Sequence, residues 1–249
     1  MSGHSKWATI KRKKAATDQA RGKLFSKYIK EITIAARHGG GDIESNPRLR
    51  SAIAAAKAVN MPAGNIDRAV KRGTGEVAGA TYEEAQYEGY GPGGVALLVE
   101  VATDNRNRTA GDVRHIFTKN GGNLGEAGSV SYLFKPRGLI VVEKGSIGED
   151  ALIELALEAG ADDVVTDSEP WEVLTPPGKL EPVREALAKK GVTPARAEVT
   201  KLASLQVPVS EKDAEAVLRL VDALEDHDDV QKVYANYSVP DEVMARLSR

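Results

Sequence analysis

The chain has 249 residues, of which 41% are apolar and 28% charged, the make-up of a soluble globular protein long enough for two or three cores. It contains no cysteine, which excludes disulfides, thiolate metal sites and cysteine nucleophiles. The formal net charge of −2 conceals two opposite parts: Met1 to Gly75 holds 16 Lys and Arg against 5 Asp and Glu, and the chain totals of 34 and 36 leave 18 against 31 for the remainder. Such asymmetry points to a polyanion at the basic end and to solubility, or rejection of wrong partners, at the other. Apolar runs such as Val95 to Val99 and Leu139 to Val142 are too short to cross a bilayer. Lys and Arg recur from Lys6 onward and break any secretory core, so the expected location is cytoplasmic, with no membrane partner.

The N-terminal arm carries Lys6, Lys11, Arg12, Lys13 and Lys14 without an apolar stripe to bury. At about 100° per residue, Leu24, Phe25, Tyr28, Ile29, Ile32, Ala35 and Ala36 then share one side of a helix, with Lys23, Lys27, Lys30 and Arg37 on the other. One face suits a core and the other an anion or solvent. Ser45-Asn46-Pro47 starts a second helix, Arg48 to Asn60. Asn65 serves as N-cap for a third, Ile66 to Arg72, closed by Gly73. Arg68, Lys71 and Arg72 extend the basic surface. A small bundle and a helix-turn-helix both satisfy this spacing.

The period then changes from helical to alternating. Ala85 to Tyr90 and Val95 to Thr103 read as strands, Thr109 as the cap of a helix with Asp112 at its third position, and Ser129 to Phe134 as the next strand. From Leu139 to Ser204 the order is βαββαβ: strands at Leu139 to Glu143, Val164 to Asp167, Trp171 to Leu174 and Glu198 to Leu202, and helices at Asp150 to Ala159 and Leu180 to Lys190. A strand at Leu205 to Val209, a helix capped by Ser210 with Asp213, and a strand at Val230 to Tyr237 complete the chain. The expected class is α+β: an N-terminal helical bundle followed by two ferredoxin-like α/β domains, one inserted in the other. The boundaries are 1–78, then 79–136 with 205–249, then 137–204 for the insert.

The segment Thr103 to Thr109 sets Arg106 and Arg108 before a helix N-terminus, where they suit phosphate, while its Asp and Asn suit capping equally well. The clusters Gly91-Pro92-Gly93-Gly94 and Gly121-Gly122 lack the Lys-Ser or Lys-Thr of a phosphate loop and read as tight turns. The acidic run Glu225, Asp226, Asp228 and Asp229 around His227 reads as a solvated turn, not a metal site. No general acid–base or nucleophile constellation stands out, so neither catalysis, a cofactor nor a small-molecule substrate is expected.

Gly3-His4-Ser5-Lys6-Trp7, NIDRAVKRG from Asn65, YEGYGPGG from Tyr87, and TDNRNRT followed by DVRHIFTKNGGNLGEAGSVSYLF to Phe134 resemble the YebC/PmpR family, whose relatives include a mitochondrial translational activator of cytochrome c oxidase. The resemblance covers the whole chain. It implies three domains, a cytosolic location and a role in gene expression, either as a DNA-binding transcriptional regulator or as a translation factor acting on ribosomal or messenger RNA at the ribosome. The family often has charged residues after the Met-Pro that precedes NIDRAVKRG, where this chain has Ala63-Gly64. The expected nucleic-acid contacts are Lys6, Lys11, Arg12, Lys13, Lys14, Lys23, Lys27, Lys30, Arg68, Lys71, Arg72, Arg106 and Arg108.

Overall fold

A computed structural model describes residues 18–167, 169–240, 243 and 246 of the protein. By its internal contacts the chain forms two compact units. One holds the described residues of 10–129 with 210–233, and the other those of 130–209 with 234–249. The three-domain division stands as our proposal.

The first unit opens with three helices, α1 (Asp18–Gly39), α2 (Pro47–Ala58) and α3 (Ala63–Gly73). Ile32, Ala35 and Ala36 of α1 pack on Leu49, Ile53 and Ala56 of α2 and on Ile66 and Ala69 of α3, with Phe25, Tyr28 and Ile29 alongside. Each large aliphatic side chain buried there contributes roughly 1.5–3 kcal/mol. The entry to α2 is fixed by Asn46, which is 4% exposed. Its Oδ1 accepts from the Leu49 N–H at 3.0 Å, and its Nδ2 donates to the carbonyls of Ala35 and Gly40 at 2.8 Å each. One amide thus caps α2 and ties it to the end of α1. Helix α3 begins earlier than the sequence pattern indicates. Pro62 occupies the N-cap without a side-chain cap hydrogen bond, and Asn65 lies inside the first turn.

The same unit contains a four-stranded sheet in the order β3-β1-β2-β9. Its strands are β1 (Glu83–Tyr90), β2 (Ala96–Thr103), β3 (Asn123–Leu124) and β9 (Val230–Ala235). Strands β1 and β2 pair antiparallel, from Glu83 opposite Thr103 to Tyr90 opposite Ala96. Helix α4 (Arg106–Lys119) packs by Phe117 against Gly89, where a Cβ would lie 2.7 Å from the ring. Helix α7 (Glu211–Glu225) brings Leu220 against Gly91. Ser210 caps α7 as expected. The cap of α4 is Asn105, whose side chain accepts from the Arg108 N–H, while Thr109 is buried within the helix. Arg106 and Arg108 therefore sit in the first helical turn, not in a loop before it.

The second unit is built on strands β4 (Phe134–Val142), β5 (Asp163–Val165), β6 (Trp171–Thr175) and β7 (Arg196–Ala203), in the order β5-β6-β4-β7. With α5 (Glu149–Glu158) and α6 (Leu180–Lys189) this is the βαββαβ ferredoxin-like arrangement. Its core joins Ile140, Val142, Trp171 and Val173 to Leu152, Val183 and Leu187. The expected strand at Ser129 to Phe134 is instead a short 3-10 turn, Ser131–Leu133, leading into β4. A parallel pair, β8 (Val207–Pro208) with β10 (Tyr237–Ser238), completes this unit.

Candidate nucleic-acid interface

Five of the expected contacts, Lys6, Lys11, Arg12, Lys13 and Lys14, lie outside the described residues. The lysine face of α1 is turned partly inward, increasingly so from Lys23 to Lys30, while Arg37 stays exposed. Lys30 is 9% exposed and its Nζ donates to Asp229 Oδ1 at 2.6 Å, to the Asp228 carbonyl at 2.9 Å and to the Ala102 carbonyl at 3.3 Å. Three acceptors use the three N–H bonds of an ammonium, so Lys30 has none left for a phosphate. Lys27 donates to the Glu225 carbonyl at 2.7 Å and Lys23 to the Asp226 carbonyl at 3.2 Å. Those carbonyls end α7, where the free C=O groups and the negative pole of the helix attract cations. The anion that the lysine stripe meets is therefore the end of a helix in the same chain.

The acidic turn after α7 also departs from the solvated loop expected of it. Asp229 is 5% exposed and lies at a node. Besides Lys30 on Oδ1, its Oδ2 accepts from Arg108 at 2.8 Å, from Thr109 Oγ1 at 2.7 Å and from Thr103 Oγ1 at 3.2 Å. Burial pushes the Asp229 carboxyl upward, but the hydrogen bonds from Lys30, Arg108 and Thr109 outweigh it and hold the group well below the usual carboxylate range. Arg108 also reaches Asp104 at 2.8 Å, so it bridges two carboxylates. His227 stands 3.3 Å from Asp112, and its Nδ1 accepts from the Asp229 N–H. Among the described residues no three His, Asp or Glu side chains gather as a metal site.

What remains accessible is a smaller set. Lys71 is half exposed but held 3.0 Å from Asp67 across one helical turn. Arg68 on α3 and Arg106 at the start of α4 are exposed and have no hydrogen-bonded or charged partner for their side chains among the described residues. Periodicity missed further cations of this kind, among them Lys57 on α2, and Arg114 and Lys119 on α4, while Lys135, Lys179, Lys189, Lys190, Lys212 and Lys232 lie elsewhere in the chain. At about 100° per residue Arg106 and Arg114 share one flank of α4, a spacing readable in the sequence once the helix start is placed at Arg106. Arg48 is not available in the same way, since Glu31 and Glu84 both clamp it, at 2.8 and 2.6 Å. Arg72 is half-buried at the end of α3, with its Nε enclosed and without an acceptor among the described residues.

Fold and surface together define an α+β protein with a basic helical end, an acidic remainder, and exposed cations on α2, α3 and α4 that have no partner among the described residues. The chain belongs to the TACO1/YebC family: residues 5–76 match the TACO1/YebC protein N-terminal domain and residues 82–237 the TACO1/YebC second and third domain. It is 58% identical over 249 residues to a protein of Dictyoglomus turgidum named "Probable transcriptional regulatory protein", with 100% of both chains covered. A Desulfotalea psychrophila protein named "Probable transcriptional regulatory protein DP2908" is also 58% identical, again over 100% of both. The crystal structure of a conserved hypothetical protein, Aq1575, from Aquifex aeolicus superposes with a TM-score of 0.79 at 50% identity, covering 90% of this chain and 93% of that one.

Proposed function

We propose that this protein is a non-enzymatic, cytoplasmic regulator of gene expression that binds nucleic acid, and that DNA is its partner in transcriptional control. The observation that carries this reading is the uneven use of positive charge. The N-terminal part has 16 basic residues against 5 acidic. Intramolecular acceptors occupy Lys23, Lys27, Lys30 and Arg108, yet Arg68 and Arg106 stay exposed and unpaired among the described residues. Unpaired arginines suit phosphate because the planar guanidinium offers a fork of donors. The names of the relatives support the regulatory role. The arm residues Lys6, Lys11, Arg12, Lys13 and Lys14, together with Arg68, Lys71, Arg72 and Arg106, form the proposed contact set.

The test is crosslinking in living cells followed by sequencing of the attached nucleic acid, with the double change Arg68→Ala and Arg106→Ala as control. Discrete DNA upstream of genes, depleted in the control, is the expected result. Crosslinks concentrated in ribosomal or messenger RNA would overturn the DNA assignment in favour of a translation factor using the same cations. No crosslinked nucleic acid would overturn the whole reading.

A further inference from the structure

The residues after α3 double back over the ends of α1 and α3 and border a half-open cavity of about 280 Å³. Its walls come from Thr33 and Ile34 of α1, Gly73 of α3, and the strap through Gly79, Ala80 and Tyr82. Two glycines allow the closure. A Cβ at Gly73 would stand 2.4 Å from the Thr33 carbonyl oxygen, and one at Gly79 would stand 2.3 Å from Arg72 Nε. The strap thus lies directly on the Arg72 guanidinium.

The cavity is cationic. Arg37 and Arg72 both line it, and among the described residues no carboxylate does. Arg72 Nε is buried and finds no acceptor among the described residues. A buried charged donor of this kind is unfavourable unless something accepts from it. Arg37 Nη1 gives one hydrogen bond, to the Tyr82 carbonyl at 3.3 Å. The remainder of its fork has no acceptor among the described residues. Nor do the helix ends themselves consume these charges. The carbonyls of Ala36, Val70, Lys71 and Arg72 accept the N–H groups of Gly40, Thr74, Val77 and Gly75, so the negative poles of α1 and α3 are already met by backbone donors.

We infer that this cavity is a phosphate-binding site, with Arg72 and Arg37 as its two donors. Two planar guanidinium groups without a competing carboxylate match the tetrahedral oxygens of a phosphate. Taking about 30 Å³ per water-sized portion, the space is large enough for the phosphate and an attached sugar-sized group. The remaining walls combine the small aliphatic side chains of Ile34, Val77, Ala78 and Ala80 with the hydroxyl residues Thr33, Thr81 and Tyr82. The chemistry fits a phosphate from a nucleic-acid backbone or one from a free phosphorylated small molecule. The site shares Arg72 with the proposed contact set but not Arg68 or Arg106, so it rests on that reading only where the phosphate comes from nucleic acid, and the phosphate titration tests it separately from the crosslinking.

The experiment follows the arginine Nε–H resonances of the full-length, isotope-labelled protein during addition of inorganic phosphate, against chloride at equal ionic strength. One resonance, absent in Arg72→Lys, is expected to move saturably at millimolar phosphate. Arg37→Gln is expected to weaken that response at least tenfold while leaving the amide spectrum folded. A resonance that does not move, that moves equally with chloride, or that responds unchanged in Arg37→Gln overturns the site. Should Arg72→Lys fail to fold, the Arg37→Gln comparison carries the test alone. A short DNA duplex is then added to the phosphate-loaded protein. Displacement of phosphate identifies the nucleic-acid backbone as the source, and retention identifies a free phosphorylated molecule, either of which upholds the site.

Discussion

Replacing Lys30 by Met keeps an unbranched apolar stem of similar length but removes the ammonium that Asp229, Asp228 and Ala102 accept from. The Lys30 and Asp229 side chains are 11% and 7% exposed, so the loss falls in the buried class, where removing one partner costs about 3–5 kcal/mol. Arg108, Thr103 and Thr109 still serve Asp229 Oδ2, whereas Oδ1 loses its Lys30 donor. The expected cost is therefore near the lower end, about 3 kcal/mol, or roughly a hundredfold in an opening equilibrium. Amide hydrogen exchange is the suitable assay, because it reports α1 separately from the second unit, where Trp171 provides an independent fluorescence probe. The slowest α1 amides should exchange about a hundredfold faster in Lys30→Met, with unfolding at Trp171 little changed. Adding Asp229→Asn should recover part of the loss. A change under threefold, or strictly additive costs in the double variant, would refute the assignment of Lys30 as a buried structural cation.

Four shorter expectations follow from the same contacts. The Asp229 carboxyl is held below its ordinary range, so its stabilising contribution is complete above the unfolded value of about 3.9 and is lost as the pH falls below it. Urea melts of the wild type should show an acid-side loss below about pH 4 that Asp229→Asn lacks, with no contribution from this group between pH 5 and 8. Asn46→Ala removes a cap and two further hydrogen bonds from a site 4% exposed, and should cost about 2–3 kcal/mol in chemical denaturation. Gly73→Ala forces a methyl group to 2.4 Å from the Thr33 carbonyl and should destabilise the α1–α3 packing by about 1–3 kcal/mol, read as a lowered Tm. If about six phosphates are neutralised, affinity for DNA should fall roughly a thousandfold between 50 and 200 mM salt. Arg68→Ala or Arg106→Ala should each reduce the salt slope by about one, whereas Lys30→Met should leave it unchanged.

The fold was legible wherever one period ran unopposed. The alternation and spacing from Leu139 to Ser204 identify the ferredoxin-like order, and Ser210 with Asp213 identifies the start of α7. Helix starts were less legible where two residues compete to cap. Thr109 and Asn105 both have the chemistry, and the outcome is decided by Thr109 Oγ1 bonding to Thr103 and Asp229, the latter 120 positions away. The basic stripe on α1 was visible, but its partner was not. A lysine row specifies an anion without saying which, and here the nearest anion is a helix terminus distant in sequence. Arg106 and Arg68 look no different from Lys30 in the sequence, and only the packing distinguishes them, because availability depends on neighbours that no local pattern records.

The docking of α1 on the end of α7 has a consequence for biosynthesis. Lys30 and Asp229 are separated by 199 positions, so the lysine row is made long before its acceptors exist. At roughly 5–20 residues per second, the ribosome needs about 10–40 s to close that interval. During this time the emerging chain displays an uncapped cationic helix beside the ribosome's own RNA, and only completion of α7 and the turn after it withdraws that charge.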